Sequence, residues 1–393
     1  MLELDITVRL VSETTEFHTL RDRWNELADD SVYPNIFTTW EWCSLWWKWF
    51  GKEELQGELF ILVFESGNQI VGLFPLYRTP RGKNLRFLGY GAHPTGEYFG
   101  PIIRLGWMEP VCEAAMAFFL DNKKEWNSLF FESYALDDPG TSLFANKMKE
   151  GFPSYFQEDQ ERLYVRFTGT YDDYLKSLST NNRHYKLKRM RQAFNKFGAT
   201  LHLLQVGEQE TWFPVFVELM EDSRKRRKEI SPYQKRLYRE FHKELQKTLL
   251  EQNKAVVYLL KYGEIPAAVL YSFWFHGKCS TYQIGISSSL KGSPGDVIYQ
   301  SMMKKTIEDG GNELDFLRGI EPYKLQYTDT SRKTEMLALF SGKNLCYYTS
   351  LFIYCAYRPF RRMVKRFLFG LLGKGKSKEK TEPENKPNDT KEG

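Results

Sequence analysis

The 393-residue chain lacks the sequence signals of several protein classes. Its five cysteines are scattered without Cys-x-x-Cys spacing, so neither a zinc site nor a disulfide framework is indicated. No uninterrupted run of about 18 apolar residues is present, so we expect no membrane-spanning helix. Residues 1–15 have neither a basic n-region nor an apolar h-region, so we expect no signal peptide. These absences favour a cytoplasmic protein, either free or peripheral on the inner face of the membrane.

The chain also lacks a strong excess of charge of either sign. Lys and Arg number 55 and Asp and Glu number 50, which leaves a formal net charge of +5. This mild basicity suits an anionic ligand or a membrane surface but does not by itself predict nucleic-acid binding. Hydrophobic residues make up 42% and aromatic residues 16%, which is enough for packed cores. The length predicts two domains of roughly 150 to 200 residues each.

The first half of the chain is predicted to form a helical start and then a small sheet unit. Its predicted elements are a strand at residues 6–10, a helix at 16–27, a hairpin at 58–77, a strand at 85–90, a helix at 110–122 and a strand at 129–133. Thr39 is placed to cap a further helix that carries Trp42, Trp46 and Trp49. These tryptophans fit either core packing or an aromatic wall for a substrate.

The second half repeats the order hairpin, strand, loop, helix, strand. Its predicted elements are a three-stranded meander at residues 255–262, 265–275 and 279–286, a helix from residue 297, and a strand at 313–317. The shared order indicates duplication of one α/β unit. Residues 106–110 of the first half correspond to Ser293-Pro294-Gly295 of the second but lack its tight turn. We therefore expect only the second half to hold a phosphate.

The loop from Lys291 to Asp296 is the strongest candidate for a ligand site. Its glycines let the backbone turn tightly, and the following helix directs unpaired N–H groups and the positive end of its dipole into the loop. Such a helix start is a ready phosphate site. The alternative is a helix capped by a proline-glycine turn that binds no ligand.

Two basic segments lie between the repeated units. The predicted helix at residues 182–197 contains six Lys and Arg residues and no acid, and Arg224–Lys228 follows a second predicted helix. Charge runs of this kind fit either a solvated helix face or a surface that contacts phosphates.

The last part of the chain combines aromatic and basic residues. Residues 345–373 are predicted to be helical, with a break or kink at Pro359. A basic face opposite an aromatic face fits an in-plane helix on an anionic membrane surface, or a helix that packs on the protein's own core. Residues 374–393 contain no apolar residue that could contribute to a hydrophobic core, so we expect them to be disordered.

This order of elements resembles the GNAT acyltransferases, and most closely the CelD/BcsL-type acetyltransferases linked to polysaccharide biosynthesis. The segments that carry the resemblance are the Trp-rich residues 37–51, the strand Leu85–Gly89, the basic helix Arg183–Gly198, Ser293-Pro294-Gly295, and Asp315–Gly319 with Tyr323-Lys324. The resemblance implies an α/β (α+β) fold of two tandem GNAT-like mixed sheets flanked by helices. The implied domains are residues 1–165 without a cofactor loop, the acyltransferase domain 166–344, the amphipathic helical segment 345–373 and the tail 374–393.

The resemblance also implies where an acyl donor would bind. In GNAT enzymes two neighbouring parallel strands separate and hold the pantetheine of acyl-CoA between them. Here these strands would be residues 281–286 and 313–317, with acetyl-CoA or another acyl-CoA as co-substrate and no metal. The residues implied to contact the donor are Ile284 and Ile286 on the first strand, and Gly292, Ser293, Gly295, Asp296 and Val297 at the pyrophosphate.

Four residues are candidates for the chemistry of transfer, since an acceptor must lose a proton and the leaving group should gain one. Related enzymes often place a tyrosine acid at the position of Tyr323. Asp315 and Glu97 are candidate bases, although an aspartate at a strand end can instead hold backbone N–H groups. Lys324 could contact a phosphate or polarise a carbonyl, or it could form an ion pair with Asp315 or Glu321.

Three functions remain open from the sequence. The first is an acyl-CoA-dependent N- or O-acyltransferase that modifies a sugar or another small precursor of a surface polysaccharide. The second is a Fem-type peptidyl transferase, which shares the tandem fold and uses aminoacyl-tRNA on a cell-wall precursor. The third is a non-catalytic scaffold that associates with the membrane through residues 345–373.

Overall fold

The computed structural model describes residues 5–90, 95–343 and 345–351. The described residues up to Gly342 form one compact unit, and those from Lys343 belong to a second. The second unit contributes one described helix, at Leu345–Leu351. The predicted amphipathic segment 345–373 and tail 374–393 otherwise lie outside the described residues. No helix within the described ranges is both long and apolar enough to cross a bilayer.

The first part of the chain alternates helices with short strands. Its elements are β1 (Thr7–Val11), α1 (Thr14–Thr19), α2 (Arg21–Asp29), α3 (Trp40–Trp46), β2 (Glu58–Leu59), β3 (Ile61–Ser66), β4 (Gln69–Phe74), β5 (Leu76–Arg78), β6 (Asn84–Phe87), β7 (Ile102–Ile103), α4 (Met108–Asp121), β8 (Ser128–Ala135), α5 (Pro139–Gly151), β9 (Ser154–Glu158) and β10 (Arg162–Arg166). A π-helical turn at Trp47–Gly51 continues α3.

The second part has longer helices and longer strands. Its elements are α6 (Tyr171–Ser177), α7 (Thr180–Lys196), β11 (Ala199–Leu203), α8 (Gln209–Arg226), α9 (Arg236–Glu251), β12 (Ala255–Tyr262), β13 (Ile265–Phe275), β14 (Lys278–Ile286), α10 (Pro294–Glu308), β15 (Glu313–Arg318), β16 (Ser331–Arg332) and β17 (Thr334–Phe340). The predicted meander is therefore confirmed as β12, β13 and β14.

The strands form three hydrogen-bonded sheets. Their orders are β1-β3-β4-β7, β2-β5-β6-β8-β17-β9 and β11-β12-β13-β14-β15-β10-β16. The first two sheets are joined at Phe60, the single residue between β2 of one sheet and β3 of the other. The N–H of Phe60 donates to the carbonyl of Leu76 at 2.9 Å. The predicted α/β fold of sheets flanked by helices is confirmed, although the two predicted sheets occur as three hydrogen-bonded sheets.

Each part of the chain contains one parallel strand pair joined by a helix. In the first copy (residues 58–135) β6 pairs with β8 and α4 connects them, and in the second copy (residues 255–318) β14 pairs with β15 and α10 connects them. Parallel neighbours need such a crossover, which usually contains a helix. The repeated order predicted from the sequence thus appears in both copies.

The two parts exchange one strand each. Strand β10 belongs to the first part of the chain but lies between β15 and β16, and β17 of the second part lies between β8 and β9 of the first part. Each sheet is therefore completed by the other part of the chain. The predicted domain boundary at residue 165 falls inside β10. It separates the two halves of the sequence, but it does not separate the sheets, because each of the two larger sheets contains a strand from the other half.

Three details of the first part differ from the sequence prediction. The predicted helix at 16–27 is two helices, α1 and α2, which meet at Leu20. Thr39 precedes α3 as expected, but its hydroxyl donates to the carbonyl of Ile36 at 2.7 Å instead of capping the helix. Helix α5 was missed, although Asp138 caps it and Pro139 begins it, which is a regular start signal.

The tryptophans of the first part lie mainly in a core that both parts of the chain share. Trp24, Trp42 and Trp46 are fully buried in a cluster that also contains Phe241 of α9 and Phe273 of β13. Core packing is thus the observed role of these side chains, and it joins the first helices to the second copy's sheet.

Candidate functional site

The parallel strands β14 and β15 diverge after a short paired segment, and we call the gap between their diverging ends the cleft. They pair only at Lys278 with Glu313, Cys279 with Leu314, and Ser280 with Asp315. Beyond these positions β14 continues to Ile286 and β15 to Arg318 without pairing with each other. Strand β14 thus separates from β15 over the predicted segment 281–286, whereas residues 313–315 of the predicted segment 313–317 are still paired.

Local irregularities in both strands cause this separation. The β13–β14 ladder shifts register between Tyr271 and Ser272, which places an extra residue, Tyr282, in β14. A bulge of this kind bends its strand and increases its twist. On the other side, Asp315 Oδ1 accepts the N–H of Leu317 at 2.7 Å, and Leu317 has a φ of 55°. This tight turn ends the regular geometry of β15.

The loop before α10 is held in a turn that favours glycine. Gly292 has a φ of 94°, and a Cβ on it would lie 2.4 Å from the ring of Phe197, so this position has no room for a side chain. Phe197 in turn stacks on Tyr262. Ser293 has a φ of 56° and precedes Pro294, the first residue of the helix. The backbone therefore reverses sharply just before the helix begins.

Three of the backbone N–H groups that were predicted to contact the acyl donor have no hydrogen-bond acceptor among the described residues. They are those of Gly292, Ser293 and Gly295. The N–H groups of Asp296 and Val297 both point to the carbonyl of Ser293, at 3.0 and 3.3 Å, so they are used within the helix start. The loop thus offers three backbone donors at the positive end of α10, as a phosphate site requires.

Asp296 is a support of this loop rather than a free ligand group. Its Oδ1 accepts from Lys186 of α7 and from the hydroxyl of Tyr327, the latter at 2.5 Å. Lys186 is buried and also lies 3.4 Å from the centre of the Tyr327 ring. Burial lowers the pKa of Lys186, and the adjacent Asp296 opposes that shift. This buried pair attaches α7 to the first turn of α10.

The other cations of α7 remain available to an anion. No ion pair involving the following α7 side chains occurs in the described part of the chain: Arg183, Lys188, Arg189, Arg191 and Lys196. Lys291, in the loop itself, is exposed and equally without a carboxylate partner among described residues. Because α7 packs on α10, this positive surface lies beside the start of α10.

The edge of β14 is only partly available to a donor. Ile286 donates its N–H to Ser223 Oγ of α8 at 2.8 Å, so the predicted N–H at this position is already bonded. Ile284, two residues earlier, directs its N–H to the same edge because backbone groups of alternate strand residues point the same way. Ile284 is therefore the better placed of the two for polarising a carbonyl.

Asp315 lies in a buried ionic cluster. Its Oδ2 accepts from Arg332 at 2.9 Å and from the hydroxyl of Tyr98 at 2.6 Å, while Oδ1 holds the N–H of Leu317. Arg332 also contacts both oxygens of Glu313, at 3.1 and 3.2 Å. Every oxygen of Asp315 is thus engaged, and its contacts are those of the structural alternative considered for it.

Glu97 is similarly paired. Its two oxygens lie 2.8 Å from Arg162 and 3.2 Å from Arg318. Arg162 is fully buried and is itself supported by Asp159 at 3.0 Å. These contacts give Glu97 the position of a bridge between the two parts of the chain, and its role as a base stays a prediction.

Lys324 uses its ammonium group entirely on local partners. It lies 2.8 Å from Glu321 Oε2 and donates to the carbonyls of Arg318 and Gly319 at 2.7 and 3.2 Å. An ammonium has three protons, so this set satisfies it. Burial lowers the pKa of Lys324, and Glu321 opposes that shift. The ion pair with Glu321 is one of the alternatives drawn from the sequence.

Tyr323 is the predicted catalytic residue whose side chain stays partly exposed and forms no ion pair in the described part of the chain. Its side chain is 38% exposed, and its hydroxyl lies 3.3 Å from that of Tyr299 on α10. The two rings stack at 5.7 Å. Partial burial raises the pKa of Tyr323 to about 12, so its hydroxyl keeps its proton at neutral pH. Tyr323 is therefore suited to donate a proton to a leaving group.

Sequence reasoning missed a buried polar cluster beside Tyr282 of β14. His242 and Gln246 of α9 and Tyr271 of β13 are fully buried, and their polar side-chain atoms have no hydrogen-bond partner in the described part of the chain. Burial lowers the pKa of His242 to about 3, so the imidazole is neutral. The only available sequence signal was the i, i+4 spacing of His242 and Gln246 on one helix face.

The geometry described above is that of a GNAT-like acyltransferase fold, and comparison with known proteins agrees. The family model described as acetyltransferase (GNAT) domain matches residues 181–325, which include α7, the cleft and Tyr323. No curated protein matches the chain. The chain therefore contains a GNAT-like domain, whereas the CelD/BcsL-type assignment stays a prediction.

Solved structures extend the similarity to most of the chain. FemX is 12% identical with a TM-score of 0.59, covering 84% of this chain and 96% of its own. L-PGS from Bacillus licheniformis is 13% identical with a TM-score of 0.52, covering 86% and 96%. The C-terminal domain of a putative lysylphosphatidylglycerol synthetase from Agrobacterium fabrum is 10% identical with a TM-score of 0.51, covering 82% and 92%. At these identities the similarity concerns the fold.

Proposed function

We propose that the chain transfers an acyl group from a phosphate-bearing donor to an amine or hydroxyl acceptor. The observation that carries this proposal is the opening of β14 and β15 directly beside three unpaired N–H groups at the start of α10. A phosphate at α10 would place an attached acyl group along β14. The cations of α7 and Lys291 would add long-range attraction for such a donor.

The chain's own residues supply two parts of the chemistry. The N–H of Ile284 points to the β14 edge, where it would stabilise the charge that develops on the acyl oxygen during attack. Tyr323 holds a proton at its hydroxyl and would donate it to the leaving atom of the donor. Because Asp315 and Glu97 are both ion-paired, the proposal assigns no base to the chain. The acceptor, a neutral amine or a hydroxyl, would release its proton to water or to the Tyr323 phenolate as the new acyl bond forms and the bond to the donor's leaving atom breaks.

Acyl-CoA, with acetyl-CoA first, is one candidate donor. The matched family model is an acetyltransferase model, and the loop offers donors for the diphosphate of CoA. The fit is incomplete, since both backbone groups of Ile286 on the strand edge are bonded to Ser223. A sugar or another small precursor of a surface polysaccharide is the acceptor class proposed with this donor.

Aminoacyl-tRNA is the second candidate donor. The occupied edge at Ile286 favours it, because an aminoacyl ester on ribose has no pantetheine arm to pair there. FemX and a putative lysylphosphatidylglycerol synthetase share the fold, and the name of the latter includes that of a phospholipid. Together with the cell-wall precursor implied by the resemblance to Fem-type transferases, this supports a lipid-linked acceptor for the present chain. A membrane contact through residues 345–373 would suit such an acceptor and is tested by liposome binding with and without residues 345–393.

Donor binding tests the proposed function without knowledge of the acceptor. The purified chain is titrated separately with radiolabelled acetyl-CoA and with aminoacylated tRNA, using deacylated tRNA and free CoA as competitors. Saturable binding of one donor selects between the two candidates. If neither donor binds saturably, the proposed function is wrong.

A further inference from the structure

Helix α8 lies unusually close to the end of β14. A Cβ built on Gly285 would lie 2.9 Å from the Cβ of Leu219 and from the backbone N of Met220, so only glycine permits this approach. One turn further along α8, Ser223 Oγ lies 2.8 Å from both the N and the O of Ile286. A single hydroxyl thus accepts the N–H of Ile286 and donates to its carbonyl.

The preceding residue of α8 makes a second attachment to the same segment. Asp222 accepts the N–H and the hydroxyl of Ser288, each at 2.6 Å. These hydrogen bonds lower the pKa of Asp222. Consecutive residues of α8 therefore hold Ile286 and Ser288, on the strand edge between the cleft and the α10 loop.

The bonded edge is the one that faces the cleft. Ser287 donates its N–H to Ala267 of β13 at 3.0 Å, so the backbone groups of Ile286 point away from β13. Ser223 is only 4% exposed, so its hydroxyl has little access to water as an alternative partner.

We propose that Ser223 is a donor-selecting residue that prevents a pantetheine arm from pairing with β14. This inference rests on the proposed function, because it assumes a donor whose phosphate lies at the start of α10. A pantetheine arm that runs along β14 would form hydrogen bonds between its amides and the backbone of the strand. The N–H and the carbonyl of Ile286 cannot take part, because both are bonded to Ser223. The site therefore favours an activated acyl group that reaches the cleft without such pairing, as an ester on ribose does.

Calorimetric titration with two related probes tests this inference. Coenzyme A is compared with 3′-phosphoadenosine 5′-diphosphate, which is the same molecule without the pantetheine arm. In the wild-type chain both should bind with dissociation constants within about threefold of each other. In Ser223→Ala, CoA should bind about tenfold more tightly while the armless probe is unchanged, as expected for one or two recovered hydrogen bonds.

Two further variants keep the result interpretable. Ser223→Cys has nearly the size of serine but a weaker hydrogen-bonding group, so it should show the same change if the alanine variant does not fold. Ser44→Ala removes another buried helical hydroxyl, which donates to the carbonyl of Glu41 at 3.2 Å, and should leave both probes unaffected.

The outcomes separate the inference from the proposed function. If wild-type CoA binds more than about tenfold tighter than the armless probe and Ser223→Ala changes nothing, the inference is wrong while the donor site stands. If neither probe binds to any variant, both the inference and a nucleotide-type donor site at α10 fail.

Discussion

The two copies share a short parallel strand pair but differ at the start of the helix that follows. Strands β6 and β8 pair at three positions, as β14 and β15 do, and β8 then runs on to Ala135. Helix α4, however, begins after Trp107 with Glu109 in its first turn, where α10 begins after Gly292 and Ser293. Both helices carry a carboxylate in the first turn: Asp296 of α10 is held by Lys186 and Tyr327, whereas Glu109 of α4 is exposed and pairs with Lys147. The fold is shared, and the proposal that only the second copy holds a phosphate rests on the few residues at the start of α10.

The first prediction tests the buried cluster that connects the copies, and it has the largest expected effect. Arg332→Ala would leave Asp315 and Glu313 buried without their cation, so we expect a loss of about 3–5 kcal/mol in the free energy of unfolding. Urea denaturation measures it. Arg81→Ala, at an exposed turn of the first copy, should change stability by less than about 0.5 kcal/mol. Equal effects of the two variants would show that the cluster does not support the fold.

The second prediction concerns Tyr323, which has no counterpart at the end of β8. Tyr323→Phe should lower kcat about a hundredfold with little change in KM, because the proton donor is lost while the ring remains. Steady-state kinetics with the donor that binds measures it. Tyr155→Phe in the first copy's sheet should keep full activity. A raised KM with unchanged kcat would assign Tyr323 to binding instead.

The third prediction uses the buried His242 of the second copy. Its pKa is about 3 in the folded chain and 6.5 as the reference value for the unfolded chain, so the unfolded state binds the extra proton between these values. The contribution of His242 is therefore lost as the pH falls below about 6.5, by about 2 kcal/mol between pH 7 and pH 5. His242→Leu should remove this part of the pH dependence in urea denaturation. Parallel pH profiles of the two proteins would contradict the assignment.

The fourth prediction has the smallest effect and concerns the charge around the α10 loop. Lys291→Glu should weaken donor binding about threefold to tenfold at low salt, since a cation beside the phosphate is replaced by an anion. Lys304→Glu makes the same change further along α10 and should have a much smaller effect. Titrations at two salt concentrations measure both, and equal effects would mean that the phosphate does not lie at the loop.

The sequence predicted the repeated order of elements well because that information is local. Alternating apolar residues and the turn at Gly263 and Glu264 indicated the meander, and Ser293-Pro294-Gly295 indicated the start of α10. Helix α5 could also have been predicted from Asp138 and Pro139. These features depend on residues that are close together in the chain.

The parts that could not be predicted depend on distant contacts. The exchange of β10 and β17 has no local signal, because a short strand fits either sheet equally well. The sequence allowed Asp315 to be a base, but in the fold its carboxylate is bonded to Arg332 and Tyr98. The residues near Ile286 in the sequence likewise give no indication of its contact with Ser223. Burial and pairing decide whether a polar side chain is reactive or structural, and both arise only in the folded chain.

Counting binding sites for 3′-phosphoadenosine 5′-diphosphate tests the central claim most directly. Calorimetry should give one site per chain, and Gly295→Trp should abolish it because a side chain at that position collides with Ile286, whose Cδ1 would lie 2.8 Å from the new Cβ. Glu109→Trp, at the corresponding helix start of the first copy, should retain the site. Two sites per chain, or binding that survives Gly295→Trp and is lost in Glu109→Trp, would contradict the claim that only the second copy holds the donor.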